Sequence, residues 1–136
     1  MTSALDQMGG ETALQRLVTQ FYDLMETLPQ AHDIHRLHFR GHGIEHTRVE
    51  QFNFLCGFLG GRQYYTETHG HMNVREIHAH IPIRQADAEV WLATMDKALA
   101  ACDLSGPHID KMRTTSARVA AILINDVEDW RTEGAT

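Results

Sequence analysis

Four histidines fall within the fourteen residues HGHMNVREIHAHIP, from His69 to Pro82. Imidazole can ligate a metal, move a proton near neutral pH, or simply sit in water. The pairs His69/His71 and His78/His80 each have one residue between them. On a helix, residues two apart point about 200° from one another, so neither pair converges there. Structural zinc sites usually mix histidine with cysteine or carboxylate, and neither Cys56 nor Cys102 lies nearby. A four-histidine zinc site in this segment is therefore disfavoured. His69 and His80 read as solvated. His71 and His78 are seven residues apart, close to two helical turns, and share a face with Val74 between them. Spacing alone leaves that pair open between core histidines and ligands. One further chemistry needs a single histidine: an iron porphyrin held by one axial imidazole, beside an apolar slot walled by other helices.

The elements that would build such a slot are helical almost throughout. After Gly9-Gly10, the positions Leu14, Leu17, Val18, Phe21, Met25 and Leu28 keep an i, i+3, i+4, i+7 rhythm up to Pro29. That spacing predicts an amphipathic helix of about four turns, with Tyr22 bordering its buried face. A short helix is expected around residues 31–37, then a loop at the RGHG of Arg40–Gly43. The next helix should run from about Glu45 to Leu59 and stop at Gly60-Gly61, a glycine C-terminal signal. Phe54, Leu55 and Phe58 mark one face, and Gln51 and Thr47 continue it. Gln51 on an apolar face needs a partner or costs roughly 1–3 kcal/mol. Pro82 ends any helix near His80. A long helix spans about Ala86 to Ala101, with Trp91, Leu92, Met95 and Leu99 in register. The last begins at Pro107, suited to a first turn, and should bury Ile109, Met112, Val119, Leu123 and Val127, with Trp130 near its end. Phe54, Leu55 and Phe58 could floor a slot that Trp91 walls and Tyr22 enters. The fold class is all-α.

Composition sets the outer limits. At 136 residues, the chain suits a single domain (1–136) with one core. Ten histidines against three prolines is the unusual feature. A net charge of −6 without clustered Lys or Arg argues against nucleic acid as partner. There is no apolar run of the roughly 18 residues a membrane span needs, and the start lacks a secretory leader's pattern. Cys56 and Cys102 sit in helical apolar patterns, so two reduced, buried thiols and a cytoplasmic location are expected.

Several ordered elements carry a resemblance. A glycine pair precedes an amphipathic helix ending in FYDLM, with Phe21-Tyr22. Leu37-His38 follows, then FLCGFLGG (Phe54–Gly61), YTETHGH (Tyr65–His71), REIHAHIPI (Arg75–Ile83) and AEVWLATM (Ala88–Met95). His78 precedes Trp91 by thirteen residues. Over roughly Met8 to Leu99 the chain resembles the group II truncated haemoglobins, the 2-on-2 globins. The resemblance implies a 2-on-2 helical sandwich around a haem b (iron protoporphyrin IX). It makes His78 the metal ligand through Nε2, and places the Tyr22 phenol and the Trp91 indole N–H over a bound ligand. His38 takes the adjoining loop position, Thr47 the gate, and Gln51 a place commonly held by leucine. Phe54, Leu55, Val74 and Ile77 would contact the porphyrin, with Tyr65 and Arg75 as propionate partners and His71 as a structural histidine. The chain departs from the pattern in three places. The Phe39–His46 loop is longer and lacks a proline after His38, which leaves His46 and Thr47 as rivals for the position facing iron. Arg62 stands where a proline follows the glycine pair. Ile77 stands where a basic residue commonly precedes the proximal histidine.

The function this implies is binding, or transport, of O2 and other diatomic ligands, NO and CO among them, at a polar distal site. Hydrogen bonds from Tyr22 and Trp91, each worth roughly 0.5–1.5 kcal/mol, would slow O2 release. The rival expectation is redox catalysis at haem: NO dioxygenation, or peroxide reduction with His38 or His46 as distal acid/base. Either needs an external reductase, since no flavin or nicotinamide motif is present. A monomer or homodimer is compatible with all of this.

Overall fold

The computed structural model describes residues 3–31, 44–70 and 81–126, and every regular element among them is helical. Ser3 starts the first, its hydroxyl accepting the Asp6 N–H at 3.1 Å, the standard role of an N-cap serine. Helix α1 (Ala4–Met8) ends at Gly9, whose φ of 116° lets the chain turn directly into α2 (Gly10–Thr27). The predicted face of α2 is the core: Leu14, Leu17, Val18, Phe21 and Met25 are all but fully buried, with Leu28 packed at the edge. Each such side chain contributes roughly 1.5–3 kcal/mol of transfer free energy. A 3-10 turn follows at Pro29–Ala31. The rest of the short helix expected there, and the Arg40–Gly43 loop, lie outside the described residues.

Helix α3 (Ile44–Phe58) stops where the glycine pair predicted. Gly60 has φ +92°, its N–H bonds Gly57 O at 3.1 Å, and Gly61 N–H bonds Cys56 O at 2.8 Å. This is a Schellman end, and α1 docks on it through Leu5 N–H to Leu59 O at 3.0 Å. A short helix not foreseen in the sequence, α4 (Tyr64–His69), comes next. Helix α5 (Gln85–Ala101) opens with the Arg84 N–H bonded to Asp87 Oδ2 at 2.8 Å. It leads to α6 (Pro107–Leu123). Helix α2 packs on both α3 and α5, α3 on α4, and α5 on α6, while α1 bridges α2 and α6.

Two expectations need correction. Helix α6 ends at Leu123, short of Val127 and Trp130, which lie outside the described residues. Asn125 explains the stop. Its N–H bonds Ile83 O at 2.9 Å, and its amide nitrogen donates to Ile81 O at 2.8 Å. These ties to the segment before α5 cannot be made by a continuing helix. Val119 and Leu123 are half-buried, and Ala120 takes the core position instead. Both cysteines are free, but only Cys56 is fully buried; Cys102, at the end of α5, is partly exposed.

Candidate functional site

Tyr22 is the centre of the candidate site. It leaves α2 on the side toward α3, has 1% of its surface exposed, and donates its hydroxyl to Gln51 Oε1 at 3.4 Å. Gln51 sits on α3 one turn beyond Thr47, is half-buried, and finds in Tyr22 the partner that its place on an apolar face requires. Burial raises the Tyr22 phenol far above its ordinary range, and the Arg48 cation works in the opposite direction. The group therefore stays protonated at any physiological pH and is held as a donor. The Phe21 ring lies edge-on to Tyr22 at 4.8 Å and tilted against Trp91 at 5.2 Å. Trp91 of α5 and Tyr22 of α2 are thus tied through one shared ring, and α2, α3 and α5 each supply a side chain.

Apolar side chains of the same helices α3 and α5 differ in how far they are covered. Leu55 is 5% exposed, while Phe54 and Phe58 of α3 and Trp91 and Leu92 of α5 are only half-buried. Phe54 and Phe58 stack at 6.2 Å with 17° between their planes. These partly uncovered rings on α3 and α5 are apolar surface of the kind a porphyrin covers, and in that respect the described residues fit the cofactor. Tyr65 of α4 is 7% exposed, its ring edge-on to Phe54 at 5.5 Å and against His69 at 4.3 Å. Burial, then the charge of Glu50, raises its phenol above the ordinary range.

The histidines divide. His69 is not simply solvated: its Nε2 lies 2.7 Å from Glu50 Oε2, joining α4 to α3. His46 approaches the other oxygen of Glu50 at 3.9 Å and is 49% exposed. Thr47 is half-buried beside it. His38, His71, Val74, Arg75, Ile77, His78 and His80 lie outside the described residues. Among the described residues, no group of three or more His, Cys, Asp or Glu could hold a metal ion.

Arg48 was not singled out in the sequence. Its guanidinium lies 5.7 Å from the Tyr22 ring centroid and bonds Asp23 at 2.9 Å, with Glu26 at 3.3 Å. Burial works against its charge, but the two carboxylates outweigh that and hold it protonated. No local pattern announces this, because the three residues meet only when α2 and α3 pack.

Comparison with known proteins adds an independent line. A model of the bacterial-like globin family matches residues 3–125. The group 2 truncated hemoglobin YjbI of Bacillus subtilis (strain 168) is 34% identical over 97 residues, covering 71% of this chain and 70% of that protein. The group II 2-on-2 hemoglobin of Agrobacterium tumefaciens superposes with a TM-score of 0.85 at 26% identity, covering 92% of this chain and 95% of that one. The group II truncated hemoglobin of Bacillus anthracis gives 0.83 at 26% identity, covering 100% and 98%. A truncated oxygen-avid haemoglobin from Bacillus subtilis gives 0.80 at 28% identity, covering 91% and 100%. Family match, sequence relative and fold agree with the helical sandwich around Tyr22 and Trp91: the chain belongs to the bacterial-like globins, in their group II truncated, 2-on-2 branch, which implies a haem cofactor and small gaseous ligands.

Proposed function

We propose that this globin holds haem b on His78 and binds O2 tightly under Tyr22 and Trp91. The observation that carries the reading is the buried Tyr22 hydroxyl, 1% exposed and aimed at Gln51 across the α2–α3 interface. When bound, the haem supplies an iron atom that takes a diatomic gas as its ligand. His78 would hold that iron through Nε2, with Val74, Ile77, Phe54 and Leu55 against the ring and Tyr65 and Arg75 toward its propionates. Tyr22 offers a proton that burial keeps on its oxygen, and the Trp91 indole N–H is the second donor. Neither group gives its proton up; both hold it toward partial negative charge on the ligand, where a dry setting strengthens the bond. Gln51 Oε1 accepts the phenol's hydrogen bond when no ligand does, and Thr47 and His38 would border the opening. A relative described as oxygen-avid supports tight binding as the outcome. The peroxidase-like alternative gains nothing from His46, which approaches Glu50 and is half-exposed.

The test is spectroscopic. One equivalent of haemin added to the purified protein should give a sharp, shifted Soret band. That band should be lost in His78→Ala and kept in His80→Ala. A spectrum like that of free haemin in the unsubstituted protein would overturn the reading. Loss in His80→Ala alone would move the ligand two residues along the chain.

A further inference from the structure

One face of the Tyr22 ring carries a charge. Arg48 of α3 lies over the face of the phenol ring, 5.7 Å from its centroid, with only 17% of its side chain exposed. It is held there from α2 by three groups: Asp23 Oδ1 at 2.9 Å, Glu26 Oε1 at 3.3 Å and the Thr19 carbonyl at 3.4 Å. A surface arginine that only joined two helices would not need an aromatic face, and Tyr22 is the one buried phenol in α2. A cation above a phenol ring stabilises the ring and draws electron density from its oxygen, which makes the O–H a stronger donor. We propose that Arg48 is a positioning residue for Tyr22: its cation sets how strongly the hydroxyl donates to a bound ligand, and Asp23 and Glu26 set how much of that charge is felt.

This rests on Tyr22 being the distal donor, and it predicts effects of opposite sign. Arg48→Met removes the cation and weakens donation. Asp23→Asn removes a compensating anion, leaves the cation less screened and strengthens donation. A purely mechanical clasp would be loosened by both, so both would move the site in the same direction.

The experiment measures O2 release by stopped flow and the C–O stretching frequency of the CO-saturated protein for five forms: unsubstituted, Tyr22→Phe, Arg48→Met, Arg48→Lys and Asp23→Asn. Positive potential beside the CO oxygen lowers that frequency. Arg48→Met should speed release by about threefold, the scale of one charge acting over this distance near a wet surface, and raise the frequency. Asp23→Asn should slow release and lower the frequency, and Arg48→Lys should stay near the unsubstituted protein. Thermal unfolding should fall in Arg48→Met and Asp23→Asn alike, since both weaken the clasp. Release and frequency shifting the same way in both variants would overturn the inference, as would no shift in either while Tyr22→Phe speeds release. If Arg48→Met does not fold, Asp23→Asn against Arg48→Lys carries the same test, and faster release in Asp23→Asn overturns it. Unchanged release in Tyr22→Phe would sink the donor reading and the inference with it.

Discussion

A buried hydroxyl without an acceptor costs about 1–3 kcal/mol, and Gln51 Oε1 offers Tyr22 one at 3.4 Å. The same oxygen competes with a bound ligand for the phenolic proton. Gln51→Leu should therefore slow O2 release a few-fold, because the proton is no longer shared. Tyr22→Phe should speed it by roughly tenfold, the upper end of one hydrogen bond's worth. Stopped-flow release rates decide both, and faster release in Gln51→Leu would mean that the amide itself donates to the ligand. Gln51 was legible in the sequence because a polar residue on an apolar stripe demands a partner. Arg48 was not. An arginine with acidic residues elsewhere in the chain reads as a solvated face until packing puts it 5.7 Å from a tyrosine ring.

At the level of elements, the long helices were readable and the short ones were not. Helices α2 and α5, of 18 and 17 residues, repeat their apolar rhythm often enough to be recognised, and local residues such as Gly60 and Pro107 set the ends of α3 and the start of α6. Helices α1 and α4, of 5 and 6 residues, complete too few turns to show a period. The end of α6 depends on bonds between Asn125 and residues more than forty positions earlier, which no local signal encodes. Asn125→Ala should thus cost about 1–3 kcal/mol, because the part-buried Ile81 carbonyl loses its donor. Gly61→Ala should cost about as much for a different reason. An added methyl would sit 2.9 Å from Cys56 Sγ and 3.0 Å from its carbonyl, against the Leu5 side chain. Urea unfolding of both variants checks the two estimates, and a midpoint unchanged in either removes its account. For the site, the ordered motifs gave Tyr22 and Trp91 and the apolar stripe gave Gln51; Tyr22 bonds Gln51 and meets Trp91 through Phe21. His78 and His38 lie outside the described residues, and the haemin titration is their test.

For the molecule as a whole, several acids are buried in their neutral form, and that gives its stability a direction in pH. Burial raises Tyr22, Tyr65 and Cys56, Cys56 with help from Glu11, above the ordinary 10.0 for phenols and 9.0 for thiols. Above those ordinary values the unfolded chain releases protons that the folded one keeps. The unfolded state then binds fewer protons, so stability must fall as pH rises. The stabilising contribution is complete below about pH 9 and is lost progressively beyond pH 10, toward the raised folded values. Melting temperatures should decline from pH 9 upward, and Tyr22→Phe should flatten the decline. A melting temperature constant to pH 11 would contradict the burial of these groups. The seat of α1 has a kinetic corollary. Leu5 lies over Gly61 and the sulfur of Cys56, which has no exposed surface. Lifting α1 from the glycine corner would open one side of that sulfur to a thiol reagent in solution. The speed at which Cys56 is labelled then registers those openings, a clock for one end of a protein whose spectrum reports on its middle.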